Sequence, residues 1–316
     1  VSLTTAQRAM KLLSEQGLIV RRSKSGTFIG QAVGSEQDSK VRVIHFLSPP
    51  EYREYACARM GPTLKGLDRI LPEVSVQFSV LPANQPEKYL ANLLSTSRLE
   101  NELVGVLAAS CPIAVYEHLA KLGVPTVVSG SLPVSGPKLP SIDFDHREAG
   151  RLLTEYLLRR GHRRIALLAR TLDRPGDRLW FNGVSQALTD AQLPHNALTL
   201  EIVPYRLDLI ATTMSHLRSM DDPPTGFLAR TEALASLLGK ASESLGLSVP
   251  GDVEIVFADW TTAQVEQSPY SHVQTRYSRE EASAKVGEMF QRIWQGKQLE
   301  QETMVVPVEL CESEGQ

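Results

Sequence analysis

Only three cysteines, Cys57, Cys111 and Cys311, occur among 316 residues, and they stand far apart. Cysteines so few and so scattered exclude a disulfide framework and a thiolate zinc site, leaving reduced structural thiols as the expectation. Long apolar runs are missing as well. None approaches the roughly 20 residues that span a bilayer, so no membrane segment is expected. No Gly-rich phosphate loop, no G-x-S-x-G and no H-E-x-x-H occurs, which removes the common phosphoryl-transfer, hydrolase and zinc-protease signatures. No signal peptide is visible.

Neither sign of charge dominates, with 33 basic and 36 acidic residues, but the two are unevenly spread. The first thirty residues hold five cations (Arg8, Lys11, Arg21, Arg22, Lys24) and one acid, Glu15, a net of +4; the remainder carries −7. A basic end on an acidic body suits phosphate binding by one module alone. That end has its own pattern. Ser2, Thr4 and Thr5 are helix N-cap types, Ala6, Ala9, Met10 and Leu13 share one helical face, and Gly17 stops the helix. Leu18 to Ile29 then reads as two β-prone arms around a Ser/Gly turn. The shape is a helix followed by a wing. In it Thr4, Thr5, Gln7 and Arg8 face base edges while Arg21, Arg22 and Lys24 follow a phosphate ridge.

The segment Val1 to Gly30 resembles the recognition helix and wing of the GntR family of bacterial repressors, sharing Ser2, Thr5, Ala9, Gly17-Leu18-Ile19 and Gly26-Thr27-Phe28. It departs where that family carries two DNA-contacting arginines: Leu3 and Gln7 stand there, and only the neighbouring Arg8 is basic. The resemblance also implies about two more helices before Val1, without which thirty residues lack a core and bind DNA poorly or not at all. The plain alternative is an amphipathic helix and hairpin that cap the main domain.

Residues 31–40 are polar and aperiodic, and read as a linker. From Val41 short apolar runs alternate with longer amphipathic ones. Strands are expected at 41–47, 74–80, 103–108, 125–129, 141–144, 164–169, 200–204, 226–229, 253–258 and 272–275. The clearest helices fall at 51–71, 147–160, 178–191 and 231–245. Strand and helix in repeated alternation predict parallel sheets covered on both faces, and so many units predict two sheets. Ligands of such folds sit beyond the carboxyl ends of the strands.

The same stretch, 41–316, resembles the effector domain of the LacI/GalR repressors, itself similar to periplasmic sugar-binding proteins. Three segments carry the likeness, in order: Asp145 to Arg151 with Leu157 to Leu168, then Arg178 to Val184 with Ala187-Leu188, then Leu245 to Val256. A GntR-type head on a LacI-type body resembles the arabinose-repressor group. The resemblance implies a two-lobed, type I periplasmic-binding-protein-like α/β domain behind a partial winged helix-turn-helix. It places an N-terminal lobe at about 41–161 and 272–298 and a C-terminal lobe at about 162–271 and 299–311. It reads Gly161-His162-Arg163-Arg164 as a crossover between lobes whose cations are structural.

For the cleft the resemblance puts Arg178 at the effector-binding arginine, at a helix start, and Asp259 where an acid accepts ligand hydroxyls. Trp260 either stacks on a sugar or joins the core. Ser48, Tyr52 and Ser110 follow strands of the first lobe, and Asp145 sits at a strand-to-helix junction where it is also a natural N-cap. Two departures matter: Arg230-Thr231 replaces an Asn-Asp pair, and Gly130-Ser131 replaces a polar pair carrying Asp. A second cation in the cleft favours an anionic effector such as a sugar acid or sugar phosphate, with a neutral sugar or a degenerate site as alternatives. An enzyme reading attaches to Asp143, Asp145 and His146, spaced for a metal or an acid/base pair. A third reading is a periplasmic-type solute-binding protein. The expectation is a cytoplasmic, dimeric, ligand-responsive repressor with operator DNA and a sugar-like effector as partners, and with no catalytic residues, metal or cofactor.

Overall fold

Arg42 to Ser48 is a run of β-branched and aromatic residues buried on both faces, which is what the inside of a helix-covered parallel sheet demands. A computed structural model describes residues 19–22, 26–29, 41–99, 102–258, 268–297, 299 and 302–313. The strands are β1 (Ile19–Arg22), β2 (Gly26–Ile29), β3 (Arg42–Ser48), β4 (Ser75–Val80), β5 (Leu103–Ala109), β6 (Thr126–Ser129), β7 (Ser141–Phe144), β8 (Ile165–Ala169), β9 (Leu198–Ile202), β10 (Gly226–Ala229), β11 (Glu254–Ala258), β12 (Ser271–Thr275), β13 (Thr303–Val306) and β14 (Val308–Cys311). The helices are α1 (Arg53–Ile70), α2 (Pro86–Leu99), α3 (Ile113–Leu122), α4 (His146–Arg159), α5 (Pro175–Asp190), α6 (Leu207–Arg218), α7 (Glu232–Ser244) and α8 (Arg279–Trp294).

Two six-stranded sheets result. The first runs β13-β7-β6-β5-β3-β4, parallel throughout, and the second β14-β12-β11-β10-β8-β9, parallel except for β14. Period-two alternation decides what covers each face. In the first sheet Ile44, Phe46, Leu107 and Val127 meet α1 and α8, while Leu47, Val106, Ala108 and Val128 meet α2 and α3. In the second, Ile165, Leu167, Leu228 and Val256 meet α4 and α5, while Ala166, Leu168, Phe227 and Phe257 meet α6 and α7. One apolar cluster is continuous through both lobes.

The chain passes between the sheets at Asp145, between Thr275 and Arg279, and at Pro307. The lobe boundaries expected from sequence are therefore displaced. Helix α4 and strand β12 belong to the C-terminal lobe, and the tail divides, β13 joining the first sheet and β14 the second. Gly161-His162-Arg163-Arg164 is not a crossover; it joins α4 to β8 within one lobe. Gly161 has φ +95°, a conformation that ends α4 at little cost only for glycine. Arg163 there donates to the Leu158 carbonyl at 2.8 Å and Arg164 pairs with Asp222 at 2.5 Å, so both cations make structural contacts within the C-terminal lobe.

One buried histidine sets an acid limit. The His272 ring stacks on Phe257 with centroids 5.1 Å apart, and its Nδ1–H donates to the Tyr270 carbonyl at 3.1 Å. Burial holds its pKa below the ordinary 6.5, with the Tyr270 hydrogen bond opposing only in part. The unfolded chain then binds the proton more tightly, so this contribution to stability is complete above 6.5 and is lost as pH falls below it. Thermal melts from pH 7.5 to 5.5 should show falling Tm, and His272→Phe, which keeps the stack, should flatten that slope. An unchanged slope would mean that the ring reaches water.

Candidate functional site

The carboxyl ends of both sheets face each other, and a side chain spans the gap. Arg174 follows β8 of the C-terminal lobe and is the N-cap of α5, a helix whose first position is Pro175. Its guanidinium donates to the Ser110 carbonyl at 2.9 Å and lies 4.6 Å over the Tyr52 ring, both beyond strand ends of the N-terminal lobe. Ser110 holds φ +55°, which turns that carbonyl toward the other lobe.

Behind this bridge runs a buried polar chain. The Ser131 hydroxyl donates to Asp143 Oδ2 at 2.7 Å, and His146 Nε2 lies 2.9 Å from the same oxygen. Arg230 Nη2 stands 3.1 Å from His146 Nδ1, while its Nε donates to Asp177 Oδ1 at 2.8 Å and its Nη1 to the Ala258 carbonyl at 3.3 Å. A guanidinium can only donate. His146 Nδ1 therefore accepts, and the ring proton sits on Nε2, where it is given to Asp143. Burial pushes the Asp143 carboxyl up, but His146, the Ser131 hydroxyl and the Phe144 N–H together hold it below the usual carboxylate range. The Arg230 guanidinium also lies 5.4 Å over the Trp180 ring and 6.0 Å over that of Phe144. Asp143 comes from the first lobe and the other charged members from the second, so the chain joins lobes at the first crossing.

Several sequence expectations change here. Helix α5 starts at Pro175, so Arg178 lies inside it rather than at its start, and its side chain is exposed. The close approach of α5 to α4 fixes the register: a Cβ on Gly183 would overlap the Arg147 carbonyl oxygen, so only glycine fits. Three residues before that glycine stands Trp180, wholly buried. Arg230 has a counter-ion in Asp177, so the two guanidiniums do not converge unbalanced on the cleft, and the case for an anionic effector there falls. Ser48 is buried, with its hydroxyl turned back toward the Pro49 carbonyl at 3.5 Å. Asp145 is the N-cap of α4, accepting from the Glu148 N–H at 2.9 Å.

Tyr52 and Ser110 meet at the Arg174 bridge. Asp259 and Trp260 lie outside the described residues, as do Thr4, Thr5, Gln7, Arg8 and Lys24; Arg21 and Arg22 fall in β1. Sequence reading missed Arg174, Asp177 and Trp180. The Arg-Pro-Gly-Asp run from Arg174 signals a helix start, and marking it would have exposed the first two.

For the enzyme reading, Asp143 and His146 do meet, but Asp145 turns its carboxylate to the helix. No group of three His, Cys, Asp or Glu among the described residues is placed to hold a metal. The thiol of Cys111 is buried beside the cleft wall, and burial pushes its pKa up to about 12, so it stays protonated. No described helix is long and apolar enough to cross a membrane.

A model of the periplasmic binding protein-like domain family matches residues 154–314, half of the chain. Catabolite control protein A of Priestia megaterium is 29% identical over 189 residues, which cover 58% of this chain and 57% of that protein. The arabinose metabolism transcriptional repressor of Geobacillus stearothermophilus is 27% identical over 308 residues, 92% of this chain and 80% of that protein. Among solved structures, a complex of the transcriptional regulator CelR with cellobiose superposes with a TM-score of 0.72 at 20% identity, covering 100% of this chain and 92% of that one. A lac repressor dimer bound to operator superposes with a TM-score of 0.70 at 20% identity, over 87% of this chain and 93% of that one.

Proposed function

The chain belongs to the periplasmic binding protein-like domain family, and from that premise we propose that it is the sensing body of a ligand-responsive transcriptional repressor. The observation that carries this reading is the facing of two strand-end surfaces joined by Arg174 and by the Asp143–His146–Arg230–Asp177 chain. A ligand that enters between those surfaces must rearrange contacts that differ between an open and a closed arrangement. Differential affinity for the two arrangements is all that linkage requires. The work is binding, not covalent chemistry.

The relatives support the output. Two are repressors or control proteins by name, one matched over nearly the whole chain, and one superposed structure holds a sugar while another is a dimer on operator DNA. The β1–β2 pair supports the GntR-type head: it is antiparallel, with Ile19 opposite Ile29 and Arg22 opposite Gly26, the hairpin a wing needs. The protein then acts in the cytoplasm as a dimer that binds two operator half-sites, and its effector is a sugar or sugar derivative. Tyr52, Ser110, Arg174 and Arg230 are the described groups that meet it.

The full-length protein should bind a two-half-site operator with affinity that falls steeply as salt rises. Arg8→Ala should cost about 1–3 kcal/mol of discrimination between operators, whereas Lys24→Ala should weaken binding to all sequences alike. Fluorescence anisotropy with specific and random duplexes measures both. Equal loss on both duplexes for Arg8→Ala removes that residue from base reading, and no binding to any duplex would falsify the repressor reading.

A further inference from the structure

The His146 ring is buried, and its two nitrogens answer to different lobes. Nε2–H donates to Asp143 Oδ2 at 2.9 Å, on β7 of the N-terminal lobe. Nδ1 accepts from Arg230 Nη2 at 3.1 Å, just past β10 of the C-terminal lobe. The ring has little room to turn. It lies against Phe144 with centroids 3.8 Å apart, and a Cβ on Gly176 of α5 would overlap Nε2. The described ionisable groups that face it are Asp143 of β7, Asp177 of α5 and Arg230 between β10 and α7. Its helix N-cap, Asp145, turns instead to the Glu148 N–H, and Tyr116 of α3 acts on Asp143 from the first lobe.

Two carboxylates stand against one guanidinium in this set, so one more proton balances it. Against burial, the His146, Ser131 and Phe144 donors keep Asp143 ionised, and Asp177 is paired with Arg230 at 2.8 Å. The ring offers that proton a single lone pair, on Nδ1, where Arg230 already donates. A guanidinium has no lone pair to accept with. A proton on Nδ1 and the Arg230 bond therefore exclude each other.

We propose that His146 is a proton-operated switch between the lobes: neutral, it ties Asp143 of the first lobe to Arg230 of the second; doubly protonated, it keeps Asp143 and lets Arg230 go. The proton comes from solvent and forms an N–H bond at Nδ1, with no other covalent change. The bond to Asp143 gains charge assistance, while the like charges on the ring and Arg230 repel. Arg230 retains Asp177 and the Ala258 carbonyl, but its Nη2 moves off the ring. That movement reaches Trp180, whose ring lies 5.4 Å from the guanidinium and whose Nε1–H has no hydrogen-bond partner among the described residues. In the sensing body proposed above, acidity then biases lobe arrangement as a ligand with unequal affinity for two states does. That consequence rests on the repressor reading; the switch itself is tested without DNA or effector.

The test is nitrogen-15 NMR of the 316-residue chain with labelled histidine and tryptophan, titrated from pH 8 to 5.5. His146 and Trp180 resonances are identified by their loss in His146→Gln and Trp180→Phe. At pH 8 His146 should carry its proton on Nε2 alone. On acidification it should gain the Nδ1 proton, and the Trp180 indole resonance should shift with the same midpoint. Glutamine offers Arg230 an acceptor and Asp143 a donor without titrating, so in His146→Gln the Trp180 shift should be lost. Arg230→Gln removes the opposing cation and should move the midpoint of one histidine to higher pH, a readout that stands even where the glutamine variant at 146 does not fold. His272→Phe should leave the His146 and Trp180 midpoints unchanged. A proton on Nδ1 at pH 8, a ring still singly protonated at pH 5.5, a Trp180 shift that persists in His146→Gln, or histidine midpoints untouched by Arg230→Gln would overturn the proposal.

Discussion

Gly183→Ala should destabilise the protein by about 3 kcal/mol or more, at the upper end of overpacking costs. In a chain this long that corresponds to a Tm lower by roughly 6–12 °C. The added methyl would overlap the Arg147 carbonyl oxygen and crowd the Arg151 N–H at 3.0 Å, and backbone cannot rotate away as a side chain can. The two helices must part, and they carry His146 and Asp177, so the buried polar chain should loosen with them. Gly61→Ala is the matched control. It also lies within a helix, but its new Cβ would meet nothing within 4 Å beyond its chain neighbours; Pro62 crowds a Cβ at that position and offsets the helix preference for alanine, so that variant should stay within about 1 kcal/mol of the parent. A stabilised Gly183→Ala protein would mean that α4 and α5 stand further apart, and the register that puts Trp180 in the cleft wall would fall with it.

That register shows what sequence could and could not reveal. Short apolar runs made the strands legible, because both faces are covered: Ile44 and Phe46 point one way and Leu47 the other, all buried, and the ten expected strands all form within two residues of their predicted ends or starts. Strands β13 and β14 escaped because Pro307 divides one apolar run from Met304 to Leu310, and the two halves enter different sheets. Lobe membership was less legible still, since a helix that follows a strand does not announce which sheet it covers. At the cleft the Arg178 assignment rested on an arginine near a glycine; Arg178 lies in the first turn of α5 with its side chain exposed. Arg230 was legible as an intruding cation, but its partner lies 53 residues earlier on another element, a pairing that only the folded chain reveals.

Removal of Asp177 should cost about 3–5 kcal/mol, the usual penalty for a buried charge left without its partner. Its side chain is 11% exposed and that of Arg230 15%, so water can screen little of the stranded guanidinium. The remaining contacts do not replace the carboxylate: His146 Nδ1 and the Ala258 carbonyl are neutral, and the rings of Trp180 and Phe144 give only a modest cation–π attraction. Arg230→Met should be costly for the mirrored reason, because it strands the carboxylate and deprives His146 of the donor that fixes its tautomer. The double variant Asp177→Leu/Arg230→Met removes both charges, and much of the loss should return, so a double-mutant cycle should report strong coupling between the two positions. Denaturant melts of the four proteins at pH 7 measure it. The same cycle decides what the cleft asks of its ligand. With strong coupling, Arg230 is satisfied from within and a neutral sugar leaves no unpaired cation at that position. With additive losses and an Asp177→Leu cost below about 1 kcal/mol, the range of exposed pairs, Arg230 must turn toward solvent, and an anionic group on the effector becomes its natural partner.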